Sequence, residues 1–600
     1  MNTLLTLALG AVTCYFGHNW YARKIDRDVI KADPKKMTPA RMYMDGVDFS
    51  PASRYVLYGF QFKSIAAAGP IVGVITAVSL WGWLPALIWL LVGVSFIGWV
   101  QDYCSLMMSV RRDGDSLSAT AHKLVSPASR IILLIFIFAY LLVVAGAFGN
   151  LMASVFSNTP SVPLGIVVLV LAGLLGGQML YRWRMGLAAT TLVIVGLTML
   201  AIILGPSGAV SGLVSGLNNA LNSLTAGEPL YSVFDPMANG YLKVTPSYVF
   251  WLLFTILFCY LGATLPIWRY AQPINYIGFW VMAITLIGGF LGAGLAVLIR
   301  PQLATFTIPA FKAWNVGTRG ALQPLWPMLF ITIACGAISG WHGLISTVGT
   351  ARQLENETDA LAVGSGSMFS EMLLALLSLM AISVAGKGGG AAAFAEGVGN
   401  FLSIFGLDPK YGSSIAFAAF VIIIITMLQL AIRFMRVSLA EWLGGSFPLI
   451  HNIHLGTLIS SALVFFVVLS GTFTYLFQLF GGANQLMASL TLMLITLWLV
   501  SEGKKALWVA LPMFFMYVTT VFANLITAWN LYITVVAPNW GKPGYSGLAI
   551  IGASILVLLA LFLVAAAIFL AWEGWKAYLR LKAQAQAKEQ PQAATGPLTA

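Results

Sequence analysis

YGFQFKSIAAAGPIVG, residues 58–73, decides how this chain folds. The stretch lies inside an apolar run from about residue 57 to about residue 80, long enough at about 1.5 Å of rise per residue to cross a bilayer. It nevertheless holds a lysine, Lys63, and its middle carries Gly69-Pro70 and Gly73. Pro70 removes a backbone hydrogen bond from a helix that lipid requires to be continuous, so the span is expected to break there. Unwound backbone at mid-membrane is tolerated only where protein or a cavity surrounds it. A broken span of this kind points to an ion or solute site.

The surrounding chain has the composition of a bilayer protein. Of its 600 residues, 59% are hydrophobic and only 9% charged, against about 25% charged in a soluble domain. Apolar runs of about 20 residues recur along its length, which indicates many spans. Fifteen helices are expected, at about 3–18, 57–80, 83–109, 130–157, 162–181, 185–205, 247–269, 277–299, 324–347, 365–386, 413–433, 455–480, 484–501, 507–533 and 547–571. The fold class is therefore all-α and polytopic. The first run lacks a basic segment before it and has its Lys/Arg cluster after it, so it reads as a retained span and not a cleaved signal. Cys14, Cys104, Cys259 and Cys335 all fall in apolar segments, which leaves no external disulfide framework.

Charge gives the orientation. The net charge is +12, but the basic residues occupy every second gap between spans, as the positive-inside rule requires, and no nucleic-acid partner follows from them. Twenty-four Lys and Arg fall on one side, from Arg23 and Lys24 in the first gap to Lys588 in the tail. Seven fall on the other: Lys243, Arg300, Lys312, Arg319, Lys387, Lys410 and Lys542. The N-terminus is expected outside and the C-terminus inside. The chain then divides into an N-terminal helix (1–20), a basic cytoplasmic loop (21–55), a transport core (56–535), a C-terminal helix (547–572) and a disordered tail (573–600). Two outer loops, 206–246 and 387–412, are rich in Gly, Ser, Asn and Ala and read as caps or gates.

Ionisable groups inside spans are expensive and mark function by default. Lys63, Asp102, His342 and Glu371 are the four here, and helical rise puts each roughly 12 to 15 Å from the inner end of its span. All four share one layer near the midplane. For Lys63 the alternative is a stem that snorkels to the interface. Adjacent spans two and three must run antiparallel, so Lys63 and Asp102 are expected to form an ion pair. His342 is the first choice for proton coupling, since free imidazole titrates near about pH 6.5; Glu371 and Asp102 are the others. A second break is expected where Cys335-Gly336 and Ser339-Gly340 interrupt the span at 324–347. The substrate is expected between the two breaks, with Gln61, Lys63, Gly69, Pro70, Gly336, Ser339 and Gly340 around it. Gly-rich GKGGGAAA lacks a P-loop pattern, and the sequence shows no metal-ligand cluster, no cofactor motif and no catalytic triad.

These same segments carry a family resemblance. YGFQFKSIAAAGPIVG, then VQDYCSLMMSVRRDGDSL (100–117), PLWPMLFITIACGAISGWHGLISTVGTARQLENETDA (324–360), SEMLLAL after it, and LFQLFGGANQLMA (476–488) resemble the carbon starvation protein A family. The resemblance implies a bacterial inner-membrane secondary transporter linked to peptide uptake during carbon starvation, some relatives carrying pyruvate with protons. It also implies membership of the amino acid, polyamine and organocation superfamily and a leucine-transporter-like core with inverted repeats. The chain departs from the family pattern where two histidines are expected and it has Phe60-Gln61, and where two aspartates are expected and it has Asn275 and Gln429.

The leading reading is a secondary transporter for a small carboxylate-bearing nutrient, a peptide or a 2-oxo acid, with protons as the coupling ion and membrane lipid as its surroundings. A channel or solute sensor of the same fold is the alternative. An intramembrane enzyme would need a nucleophile with its base, or metal ligands, and neither is assembled by the sequence.

Overall fold

The computed structural model describes residues 1–46, 48–235, 240–317, 320–333, 335–386, 389–469, 473–541 and 547–589. Arg319, Lys387 and Lys542 of the expected outer set, and residues 590–600 of the expected tail, lie outside the described residues.

The helices follow the apolar runs, and many start where a side chain can take an orphan amide. In chain order they begin with α1 (Thr3–Cys14), α2 (Arg54–Ile65) and α3 (Val74–Trp81). Next come α4 (Trp83–Val110), α5 (Pro127–Asn158), α6 (Pro163–Gly177), α7 (Leu187–Leu204) and α8 (Gly208–Asn222). A small hairpin, β1 (Tyr231–Asp235) with β2 (Gly240–Val244), pairs Tyr231 opposite Val244. Then follow α9 (Pro246–Thr264), α10 (Ala271–Ile299), α11 (Leu325–Thr332), α12 (Gly340–Leu344) and α13 (Ala360–Ala385). The series closes with α14 (Gly390–Leu402), α15 (Pro409–Leu443), α16 (Ile453–Leu469), α17 (Phe473–Ser501), α18 (Leu507–Leu531) and α19 (Gly547–Glu589). Before α5 the Ser126 hydroxyl accepts from Ser129 N with Pro127 in the first turn, and before α9 Thr245 accepts from Tyr248 N with Pro246 in the first turn. Each cap satisfies one of the donors a helix start leaves free.

Among the described residues eleven helices are long and apolar enough to cross a membrane, and the pair α2 and α3, bent by 54°, makes a twelfth. The other three of the fifteen expected spans take different forms. The run at 3–18 is a helical rod that continues through wide turns to Ile30. The run at 324–347 is divided into α11 and α12, and the run at 455–480 stops as the 17-residue α16 before α17 starts. Burial separates centre from rim. The apolar window of α15 is 94% buried, against 33% for α7 and for the helix containing α18, so α15 is the axis and those two face lipid.

Three segments differ from the sequence expectation. The outer stretch 387–412 is mostly the helix α14, which packs on α15 and is largely buried. Small residues allow this, since a Cβ on Gly412 would stand 3.0 Å from Gly399 Cα. Residues 573–589, expected to be disordered, continue α19 to Glu589. The basic segment 21–55, expected as a loop, is helical to Ile30 and tied to the bundle: Arg111 donates to Ile30 O and Lys31 O, both at 2.8 Å, and reaches Glu357 at 3.2 Å.

Arg433, in the C-terminal third of α15, holds Asp48 of that segment at 2.7 Å. Burial alone would raise the Asp48 carboxyl, but Arg433, with Arg352 and Arg436 behind it, outweighs this and holds it below its usual range. A depressed folded pKa contributes stability above the unfolded value of about 3.9 and loses it as pH falls through the folded one. Asp48→Asn should therefore destabilise the protein in detergent at neutral pH by under about 1 kcal/mol, since the carboxylate keeps 38% of its surface in solvent, and so lower its melting temperature. The gap to wild type should close only below about pH 3.9. A gap that persists unchanged into strong acid would show that Asp48 acts through packing and not charge.

Candidate functional site

The two breaks meet at the centre of the bundle. In the first, α2 ends at Ile65, Ala66–Ala68 leave the helix, and a wide turn at Gly69–Gly73 leads into α3. In the second, α11 ends at Thr332 and α12 begins at Gly340, followed by a wide turn at Ile345–Thr350. A Cβ built on Gly69 would lie 2.7 Å from Cys335 N and 2.9 Å from its Sγ, and one on Gly336 would lie 3.5 Å from Pro70 Cα. Only glycine permits this approach. Gly73 likewise faces the Thr332 carbonyl, and Gly340 backs on Asn484 O and Met487.

Breaking a helix frees backbone groups that lipid cannot satisfy, and three buried amides take up those of the second break. Gln101 donates to Ser339 O, and Gln485 Nε2 reaches Ile333 O at 3.2 Å and Ile338 O at 3.5 Å. Asn484 Oδ1 accepts from Trp341 N at 3.1 Å and from the Tyr140 hydroxyl at 2.7 Å, while its Nδ2 donates to Ser339 Oγ at 3.0 Å. Trp341 Nε1 donates to Ser64 O at 2.7 Å and so joins the end of α2 to the start of α12. Gln61 spans the same gap from α2: its Nε2 donates to Ser346 Oγ at 3.1 Å and its Oε1 accepts from Thr350. Sequence reasoning did not single out Gln101, Asn484 or Gln485. Their signal was present as amides inside the quoted QDY and LFQLFGGANQLMA motifs, in otherwise apolar spans.

Beside the breaks, the four ionisable groups expected to share one layer separate into a cluster of three and one apart. His342 Nδ1 stands 3.1 and 3.0 Å from the two oxygens of Asp102, and its Nε2 stands 3.0 Å from Glu371 Oε2. All three side chains are buried. The Nε2 contact is not aligned as a hydrogen bond, so neither oxygen of Glu371 receives one. The cluster also gathers Cys335 Sγ, His342 Nε2 and a Glu371 oxygen within 4.8 Å of one another. The expectation of no metal-ligand cluster is thus corrected: residues 335, 342 and 371 are brought together by the fold, where no sequence spacing announced them. Thiolate, imidazole and carboxylate donors suit a transition ion, and an imidazole between two carboxylates also suits a shared proton. Cys335 Sγ also meets Ser339 Oγ at 3.3 Å and Asn484 Nδ2 at 3.5 Å.

The expected ion pair of Lys63 with Asp102 is not formed. Lys63 donates to Thr426 of α15, while Asp102 is committed to His342. The two side chains point apart, Lys63 toward α10 and α15 and Asp102 toward the second break. Snorkelling is excluded too, since Lys63 is 0% exposed. Lys63→Met and Asp102→Asn should accordingly be additive in melting temperature, with a coupling no larger than about 0.5 kcal/mol. Rescue of either single variant by the double would restore the pair. The positions where the chain departs from the family pattern point to separate neighbours: Gln61 to Ser346 and Thr350, Asn275 to Ala271 O of its own helix, and Gln429 to Gly262 of α9, whose Cβ would lie 2.5 Å from its Oε1.

The model of the carbon starvation protein CstA family matches residues 2–388 and 381–523. The chain belongs to that family. It is 30% identical over 394 residues to the peptide transporter CstA of Escherichia coli, covering 65% of this chain and 51% of the relative. It is 31% identical over 386 residues to the pyruvate/proton symporter BtsT of the same organism, covering 63% and 49%. The chain thus spans about half the length of these two relatives. The Bacillus subtilis peptide transporter CstA matches at 25% identity over 96% of this chain and 98% of its own. Among solved structures, MhsT in complex with L-phenylalanine matches at 12% identity and a TM-score of 0.44, covering 85% of this chain and 99% of that one.

Proposed function

We propose that this member of the family is a secondary active transporter that imports a small carboxylate-bearing nutrient, a peptide or a pyruvate-like 2-oxo acid, across the bacterial inner membrane during carbon starvation, driven by protons. The observation that carries the reading is the contact of two broken spans next to a buried imidazole gripped by two carboxylates. Unwound backbone at Gly69-Pro70 and at Gly336, Ser339 and Gly340 can replace a solute's hydration, and Gln61 and Lys63 border it on the α2 side. The crossing of the breaks supports a leucine-transporter-like core of inverted repeats, and the excess of Lys and Arg on one face supports a periplasmic N-terminus and a cytoplasmic C-terminus. The names of the two Escherichia coli relatives support the substrate class and the proton.

The proton is carried by the Asp102–His342–Glu371 cluster, where the imidazole can pass it between the two carboxylates. Cys335 and, through Asn484, Tyr140 are the other titratable groups facing it. A buried carboxylate that receives no hydrogen bond is costly while charged, and a proton removes that cost. Proteoliposomes supply the test, with labelled 2-oxo acids and di- and tripeptides as the panel. An acid exterior should drive accumulation above equilibrium, and a protonophore should abolish it. Mere equilibration would make the protein a channel, and no flux of any panel member a sensor. Loss of uptake on chelation, restored by zinc, would replace the proton by a metal ion.

A further inference from the structure

Cys335, His342 and Glu371 come together from three pieces of backbone. Cys335 belongs to the unwound segment between α11 and α12, His342 to α12 and Glu371 to α13. Cys335 Sγ, His342 Nε2 and a Glu371 oxygen lie within 4.8 Å of one another, and all three residues are 0% exposed. Neither His342 Nε2 nor either oxygen of Glu371 takes part in a hydrogen bond, and buried polar atoms left without a partner are costly. Asp102, 3.0 Å from Nδ1, accepts the ring proton there when ionised, so Nε2 presents a lone pair. Two acceptors then face each other at 3.0 Å, Nε2 and Glu371 Oε2, and a cation between them removes the conflict. A proton is one such cation. Cys335 adds a sulfur donor that passing a proton between the carboxylates does not use. Thiolate, imidazole and carboxylate are the ligands of zinc-type ions, at bonds of about 2.0 to 2.3 Å, with a fourth position left to water. A carboxylate on the far ring nitrogen is the arrangement that orients a metal-binding histidine. Side-chain shifts of about 1 Å close the spacing of the three donors onto such an ion.

We propose that Cys335, His342 and Glu371 form a binding site for a zinc-type divalent ion, and that the bound ion inhibits transport. Cys335 Sγ gives up its proton as the metal–sulfur bond forms. The ion ties the unwound segment to α12 and α13 at the crossing of the breaks, since a Cβ on Gly69 of the first break would lie 2.9 Å from Cys335 Sγ. Such a clamp stops the second break from moving against α13, and it withdraws His342 Nε2 and Glu371 from the proton. The inhibition rests on the transport reading; the binding does not.

The test titrates the purified full-length protein, kept reduced and freed of its tag and of metal, with cobalt chloride in detergent. Wild type should develop a thiolate-to-cobalt charge-transfer band that saturates at equimolar cobalt and that zinc displaces. Cys14→Ser, Cys104→Ser and Cys259→Ser combined should keep the band, and Cys335→Ser should lose it. Zinc should also raise the melting temperature of wild type by mass action and leave that of Cys335→Ser where it was. No band in wild type or in the triple variant, or a band that survives Cys335→Ser, would overturn the proposal. The triple variant decides the matter even if Cys335→Ser does not fold. In proteoliposomes, zinc at a saturating concentration should abolish uptake by wild type, and the uptake that Cys335→Ser retains should not respond to it. Wild-type uptake that continues with the site filled would overturn the inhibition and with it the proposal. No uptake by any form, with the cobalt band as expected, counts against the transport reading and not against the metal site.

Discussion

Gly340→Ala and Gly69→Ala are each expected to abolish uptake while leaving a protein that inserts and purifies. At Gly340 the added methyl meets Asn484 O and Met487, with Ala488 N at 2.8 Å. At Gly69 it meets Cys335 N at 2.7 Å, and a backbone atom cannot rotate away as a side chain can. Overpacking of this kind typically costs about 1 to 3 kcal/mol of stability, which a large bundle survives. The transport loss should be far greater, because the methyl on Gly69 stands where the two unwound segments touch and the one on Gly340 pushes the second break away from α17. Uptake by proteoliposomes, with the gel-filtration profile as the control for folding, measures both. Undiminished uptake in both variants would move the substrate away from the crossing.

Neutralising the cluster should separate coupling from binding. Glu371→Gln keeps the shape of the side chain and removes its proton, so gradient-driven accumulation should vanish and the rate should lose its dependence on external pH, while exchange of labelled for unlabelled substrate persists. Asp102→Asn withdraws the carboxylate that holds His342 Nδ1 at 3.0 Å. Removing one member of a buried charged pair typically costs about 3 to 5 kcal/mol, so this variant should be less stable than the double variant Asp102→Asn with His342→Gln. Glu371→Gln that still concentrates substrate under a proton gradient would exclude Glu371 as a carrier. Equal melting of the Asp102 single and double variants would mean that Asp102 and His342 are not a charged pair.

Much of this site was legible in the sequence, for identifiable reasons. Pro70 lacks an N–H wherever it stands, so the first break could be read from one residue. Depth along a helix is a count of residues, so Asp102, His342 and Glu371 were correctly assigned to one layer. Partner choice was not legible, because it depends on which way each helix faces. Lys63 and Asp102 lie on spans that follow one another in the chain, yet the first turned to Thr426, 363 residues away, and the second to His342, 240 residues away. Nor could the helix α14 be told from a surface cap, since a Gly/Ala-rich stretch reads alike whether it coils in water or packs closely on α15.

By itself, then, the sequence determined that this chain lives in a bilayer, how its apolar helices are ordered and where two helices must break. Each of these follows from transfer energies and backbone chemistry that act residue by residue along the chain. Only the tertiary structure decided that the two breaks touch, that Gln101, Asn484 and Gln485 satisfy the backbone freed there, that Cys335 joins His342 and Glu371, and that Lys63 turns to Thr426. Those outcomes depend on helix rotation and close packing between segments hundreds of residues apart, and in lipid, where every helix is apolar all round, hydropathy carries no record of which face meets which.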